Sequence, residues 1–316
     1  MRGWPIGLAV WLLLVAALEA AGFVAVWRFF VHSAHGQMLD FVALTGNSIG
    51  QDRVASLVHQ TLSTISVVSL AAATIAIGFL ALVRRRIAVG VGAVLLIAGA
   101  NATSQFFKEL IYRPHLGIDV DRVAAGNSLP SGHTTVAASV AVALLLVAPT
   151  RARGAVALAG AAAAALVGVA TLSAGWHRPS DAVAALLLVG AWAAASSLFI
   201  LVAQRRHGGV AYGPASRYTT LFLAVAGVAL LLGAAVAMSL TNDVVSTSVD
   251  DLSRGRLFAA YAGGALGICG TAALVIGGVL ATLHRVVPRS VPDYEDEIDE
   301  DPTDQLPVVP LVPEPY

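Results

Sequence analysis

The sequence predicts an all-α integral membrane protein, and three observations carry that prediction. The chain is 57% hydrophobic and 12% charged, too apolar for an ordinary soluble domain. Eight stretches approach the ~20 apolar residues that a helix needs to cross a bilayer: 5–30, 63–83, 87–107, 133–149, 154–174, 182–203, 218–239 and 257–283. The cations between those stretches alternate from side to side along the chain.

The first stretch is longer than a signal-peptide core and lacks a small-x-small cleavage site before polar sequence, so it reads as an anchor. It contains Glu19, either a functional ionisable group or a neutral, hydrogen-bonded carboxyl. Arg84, Arg85 and Arg86 divide the second stretch from the third, which ends at Lys108. The fourth follows a polar loop closed by Pro130-Ser131-Gly132-His133, and the fifth carries small-residue packing surfaces such as Ala161–Ala165. Pro179 opens the sixth, as proline suits the first turn of a helix. The last contains Cys269, the single cysteine, so no intramolecular disulfide can form. From about residue 290, acids from Asp293 to Asp304 and then prolines predict a disordered, solvated tail.

With the N-terminus inside, Arg2, Arg84, Arg85, Arg86, Arg151, Arg153, Arg205, Arg206, Arg217, Arg285 and Arg289 fall on the inner side, eleven of the nineteen cations. The positive-inside rule then predicts both termini in the cytoplasm. The loops 108–132 and 174–181 face the outside of the cytoplasmic membrane.

Those two loops hold the chemistry. Lys108 is the one lysine beside eighteen arginines. Cations at a membrane boundary ordinarily snorkel to the headgroups. Lys108 and Arg113-Pro114, set before a loop rich in Gly, Asn and Ser, fit a phosphate clamp better: Arg offers a planar fork and Lys a compact charge. In Gly126–Thr135, Pro130 and Gly132 shape a turn, and Ser131 is placed to cap the helix whose free amides bind anions. His133 then sits on the first turn, where it could protonate a leaving oxygen. In Ser173–Asp181, His177 and Asp181 are four apart and can share one side of a turn. An ionised Asp on one ring nitrogen fixes the tautomer and frees the other to attack. Alone, this last segment would read as an interfacial anchor and a helix-dipole partner.

Together and in this order, the three elements resemble the type-2 phosphatidic acid phosphatase and vanadium haloperoxidase superfamily, in its membrane lipid phosphatase branch. The resemblance covers roughly residues 1–205. It implies a six-helix membrane phosphatase core there; two additional C-terminal transmembrane helices within 206–289 and the tail over 290–316 lie outside it. By the same resemblance His177 is the nucleophile, Asp181 its orienting partner and His133 the general acid. Lys108, Arg113, Ser131 and Gly132 would hold the phosphate.

Two departures from the family pattern stand out. Four residues rather than six separate Lys108 from Arg113-Pro114, and His115 occupies the usual arginine position. Thr171 replaces the arginine six before His177, and Ala170 the serine before it. The site is therefore short of two guanidinium groups, for which Arg178, Arg122 or His115 would have to compensate.

The expected activity is hydrolysis of a lipid phosphate monoester or diphosphate through a phosphohistidine, the lipid being a polyprenyl diphosphate, phosphatidate or phosphatidylglycerol phosphate. The motifs contain no carboxylate cluster for magnesium, so neither metal nor other cofactor is expected. The expected partners are that lipid and the bilayer, with no nucleic acid. A lipid-dependent phosphotransferase and a weak or inactive phosphatase-like membrane protein are the alternatives, the second favoured by Thr171 and His115. Eight spans disfavour a soluble haloperoxidase.

Overall fold

A computed structural model of the chain describes residues 6–48, 67–118, 126–204, 216–241 and 252–287. Every regular element among them is helical: α1 (Ile6–His32), α2 (Ala34–Thr45) with a 3-10 turn at Gly46–Ser48, α3 (Val67–Val83), α4 (Ile87–Leu110), α5 (Gly132–Val147), α6 (Arg153–Ser173), α7 (Pro179–Ala203), α8 (Arg217–Thr241) and α9 (Arg254–Val286). Each of the eight apolar stretches overlaps one helix in its described residues, so the all-α membrane class holds. The expected tail, 290–316, lies outside the described residues, as does Arg122.

Among the described residues six helices, α1, α4, α6, α7, α8 and α9, have the length and hydropathy to cross a membrane. Helices α3 and α5 are shorter. The 16 residues of α5 rise about 24 Å, short of a ~30 Å hydrocarbon core. Its end is set by extended backbone at Ala148, the geometry that the following Pro149 imposes on its neighbour.

Helix α2 was not expected, because no long apolar run announces it. It is defined by its cap: the Ser33 hydroxyl accepts from the Gly36 amide at 2.9 Å. Its inward face carries the buried polar residues Gln37 and Asp40. Gln37 Nε2 donates to the Val31 carbonyl at 2.8 Å and to that of Pro114 at 3.1 Å. The α1–α2 corner is thereby tied to the loop after α4.

Helix α1 packs on α7, α4 lies between α5 and α7, and α6 is flanked by α5 and α9. The apolar side chains left exposed on α1 and α8, such as Leu14, Leu18, Leu221 and Phe222, make the lipid-facing surface that satisfied helical backbones permit. Helices α4 and α5 run antiparallel with a polar ladder between them. Asn101 Nδ2 donates to Ser139 Oγ at 3.2 Å, and Thr135 Oγ1 donates to Ser104 Oγ at 3.4 Å. Residues 101, 104 and 108 share one helix face, as do 132, 135 and 139. The next rung therefore brings Lys108 to Gly132.

Helix α9 reaches the start of α7 from the other side. A methyl group placed on Gly264 would lie 2.6 Å from Pro179 Cγ, so only glycine lets the two backbones approach this closely.

Candidate active site

The end of α6 positions the first histidine. Gly175 adopts φ +71°, its amide bonds the Leu172 carbonyl at 2.9 Å, and the Trp176 amide bonds that of Thr171 at 3.0 Å. This is a Schellman ending, whose left-handed residue glycine adopts without strain. His177 follows, its amide reaching the same Thr171 carbonyl at 3.2 Å. Helix α7 then begins at Pro179, where proline gives up no needed amide.

His177 Nδ1 lies 3.2 Å from Asp181 Oδ2. An ionised carboxylate only accepts, so Nδ1 carries the proton and Nε2 is left with its lone pair. Asp181 is wholly buried. Its Oδ2 also accepts from Ser128 Oγ at 2.6 Å and from the Arg178 amide at 3.1 Å, while Oδ1 faces Arg113 Nη2 at 3.9 Å. The Asp181 carbonyl accepts from the Ser131 amide at 2.9 Å. One residue thus joins the loop before α5 to the start of α7.

Ser131 caps α5, its hydroxyl accepting from the Thr134 amide at 3.4 Å, while the Thr135 amide reaches the Ser131 carbonyl at 3.0 Å. Among the described residues the Gly132 and His133 amides have no such partner. The ammonium of Lys108 lies 3.0 Å from where a methyl on Gly132 would sit, over the same helix end. His133 packs its ring on Trp176, centroids 5.4 Å apart, and lies within electrostatic range of His177 and Lys108. Lys108, Ser131, Gly132, His133, His177 and Asp181 therefore form one cluster.

Arg113 is buried, its Nη1 donating to the Phe30 carbonyl at 3.3 Å and its Nη2 turned to Asp181. Arg178 is also buried, and its Nη1 donates to Ser128 Oγ at 3.3 Å. His115 is exposed and makes no hydrogen bond or ion pair with the cluster among the described residues. Thr171 supplies no charge: its hydroxyl bonds back to the Gly168 carbonyl at 2.8 Å, and its carbonyl anchors the turn that carries His177.

Two participants escaped the sequence reading. Ser128 lay within a recognised motif, but nothing local marked it as a donor to a carboxylate 53 positions later. Asp40 is buried in α2 and accepts both the Ser180 amide, at 3.1 Å, and the Ser180 hydroxyl. Burial, and next the charge of Asp181, push its carboxyl up to about 6, against the pull of Arg113, the Ser180 bond and Arg178. A lone acid between apolar stretches was its one signal.

Beyond Ser180, an apolar cavity of about 240 Å³ opens between α2, α7, α8 and α9, lined by Leu39, Asp40, Pro179, Leu231, Met238 and Gly264 among others. Residues 90–207, which cover most of α4 and all of α5 to α7, match the family model described as the PAP2 superfamily. No curated protein and no solved structure matches the chain.

Proposed function

We propose, from the membership of residues 90–207 in the PAP2 superfamily, that this multi-pass membrane protein hydrolyses a phosphorylated lipid through a phosphohistidine on His177. Family membership points to phosphatase activity on a phosphate ester. The lipid substrate and the covalent intermediate are our reading of the site. The observation that supports it most is the His177 Nδ1–Asp181 Oδ2 pair at 3.2 Å, beside a helix end faced by Lys108.

In this scheme His177 Nε2 attacks phosphorus and the bond to the leaving oxygen breaks. Asp181 holds the tautomer and balances the imidazolium that forms. Lys108 and the free amides of Gly132 and His133 take the phosphoryl oxygens, with Ser131 fixing that helix end. Arg113 shares its charge between Asp181 and the phosphoryl group, and Arg178 supports Ser128. His133 protonates the leaving alkoxide or phosphate, then takes a proton from water as water cleaves the P–N bond. The cations are the chain's own, so the scheme calls on no divalent ion.

The same reading assigns residues 1–205 to a phosphatase core, with the additional helices in 206–289. It sets the active site on the extracytoplasmic side of the cytoplasmic membrane, with both termini in the cytoplasm. What supports this orientation is that Lys108, His133 and His177 lie at the end of the bundle opposite Arg84–Arg86 and Arg151–Arg153. A second reading, a catalytically weak relative, draws on Thr171 and His115, neither of which brings a guanidinium to the cluster.

Phosphate release from polyprenyl diphosphate, phosphatidate and phosphatidylglycerol phosphate, measured in detergent with EDTA, tests the proposal. Release that is lost in His177→Ala is expected. Release that survives in His177→Ala refutes the mechanism, and no release from a folded protein favours the weak relative.

A further inference from the structure

The end of the bundle opposite the candidate active site holds cations that positive-inside topology does not explain. Topology accounts for exposed arginines, and Arg84, Arg85, Arg151 and Arg285 are exposed. Arg153, the first residue of α6, is 2% exposed. Its Nε donates to the Ala148 carbonyl at 3.4 Å, but neither Nη1 nor Nη2 has a hydrogen-bond partner. Arg86 Nη1 is likewise buried and unpartnered, and His284, whose ring bonds the backbone of Ala281, lies beside Arg153.

These groups lie near one another. Arg153 lies within electrostatic range of Arg86, and His284 within range of Arg153, Arg217 and Arg285. They come from the start of α4, the start of α6 and the end of α9. Helix α8 also starts here, bringing two hydroxyls to the corner: a methyl placed on Gly154 would lie 2.9 Å from Thr219 Oγ1 and 3.9 Å from Ser216 Oγ. The carboxylates among the described residues are Glu19, Asp40, Glu109 and Asp181. Glu19 is in the middle of α1 and the other three are at the far end, so none of them neutralises this cluster.

Leaving a guanidinium buried with two nitrogens unsatisfied is costly, and mutual repulsion adds to the cost. An anion relieves both. Three donors on three helices suit a tetrahedral phosphate, which offers more oxygens than a carboxylate and accepts the arginine fork. We infer that Arg86, Arg153 and His284 form a second anion site, which takes a phosphate group at the membrane face opposite the candidate active site. Arg86 and Lys108 stand at opposite ends of the 24-residue α4, which separates the two sites by about 33 Å. The phosphate belongs either to a headgroup of that leaflet or to the free ion.

The test uses the full chain carrying His177→Ala, which prevents turnover, in phosphatidylcholine nanodiscs, beside the same protein with Arg153→Gln. One arm adds inorganic phosphate; the other replaces a quarter of the phosphatidylcholine by phosphatidylglycerol. Any phosphate taken by the candidate active site is common to both proteins, so their difference reports the second site. The thermal midpoint of the Arg153 protein should rise by about 4 °C in one arm, and that rise should be at least halved by Arg153→Gln. The phosphatidylglycerol arm would identify a headgroup, and the phosphate arm the free ion. Equal responses in the two proteins, or no response in either arm, would overturn the inference. Should Arg153→Gln fail to fold, His284→Ala, at a partly exposed position, gives the same comparison.

Discussion

Replacing Asp40 by Asn separates a buried charge from the hydrogen bonds around it. Asp40 sits on α2, which is not among the spanning helices, and its carboxyl is raised from 3.8 to about 6. Burial is the first cause and the charge of Asp181 the second; Arg113, the Ser180 bond and Arg178 oppose them. The folded protein therefore keeps this proton up to about pH 6, whereas the unfolded chain releases it near 3.8. Between those values folding takes up a proton, so stability falls as pH rises, and the loss is complete above pH 6. The interval from 3.8 to about 6, at about 1.4 kcal/mol per pH unit, amounts to about 3 kcal/mol. Asparagine has an acceptor for the Ser180 amide and a donor for its hydroxyl but cannot ionise. Unfolding free energies in detergent, measured for both proteins from pH 4 to pH 7, should show Asp40→Asn gaining about 3 kcal/mol on the wild type across that range. Taking the difference cancels the titrations that the two proteins share. Parallel curves, or a variant that loses ground as pH rises, would show that Arg113 and Arg178 hold Asp40 ionised and would refute the reasoning.

Asp181→Asn should lower phosphate release by about 10²- to 10⁴-fold by loosening the His177 tautomer. It should also cost about 3–5 kcal/mol in chemical denaturation, because Arg113 loses its carboxylate. Gly175→Ala places a side chain at φ +71°, so it should destabilise by about 1–2 kcal/mol and slow hydrolysis by moving His177. Lys108→Met should reduce kcat/KM by about a hundredfold or more, the loss of one phosphate-directed charge, with thermal stability little changed. Gly264→Leu meets the Pro179 ring, 2.6 Å from the new Cβ, and should cost about 1–3 kcal/mol by overpacking.

The eight apolar stretches were legible because a bilayer imposes one pattern, a long run without charge, that no neighbour needs to complete. The caps were legible for a similar reason: Ser131 and Pro179 act on backbone within a few residues of themselves. Helix α2 was not, since its burial comes from contacts with α7 and α9 rather than from its own composition. Asp40 and Ser128 were hidden by distance along the chain; each meets its partner only after α7 has docked. Thr171 shows the converse. Its departure from the family pattern was visible in the sequence, but only the fold revealed that its carbonyl carries the turn to His177. The unpartnered arginines were read as topology, because burial at a helix end leaves no mark in the local sequence.

Covalent capture tests the central claim most directly. The protein is mixed briefly with a lipid substrate labelled in its transferable phosphate, quenched in alkali, digested and mapped by mass spectrometry. The account predicts an acid-labile, alkali-stable phosphoryl group on His177, absent from His177→Ala. A phosphoryl group on His133 or another residue, or turnover with no labelled protein at any mixing time, would contradict it.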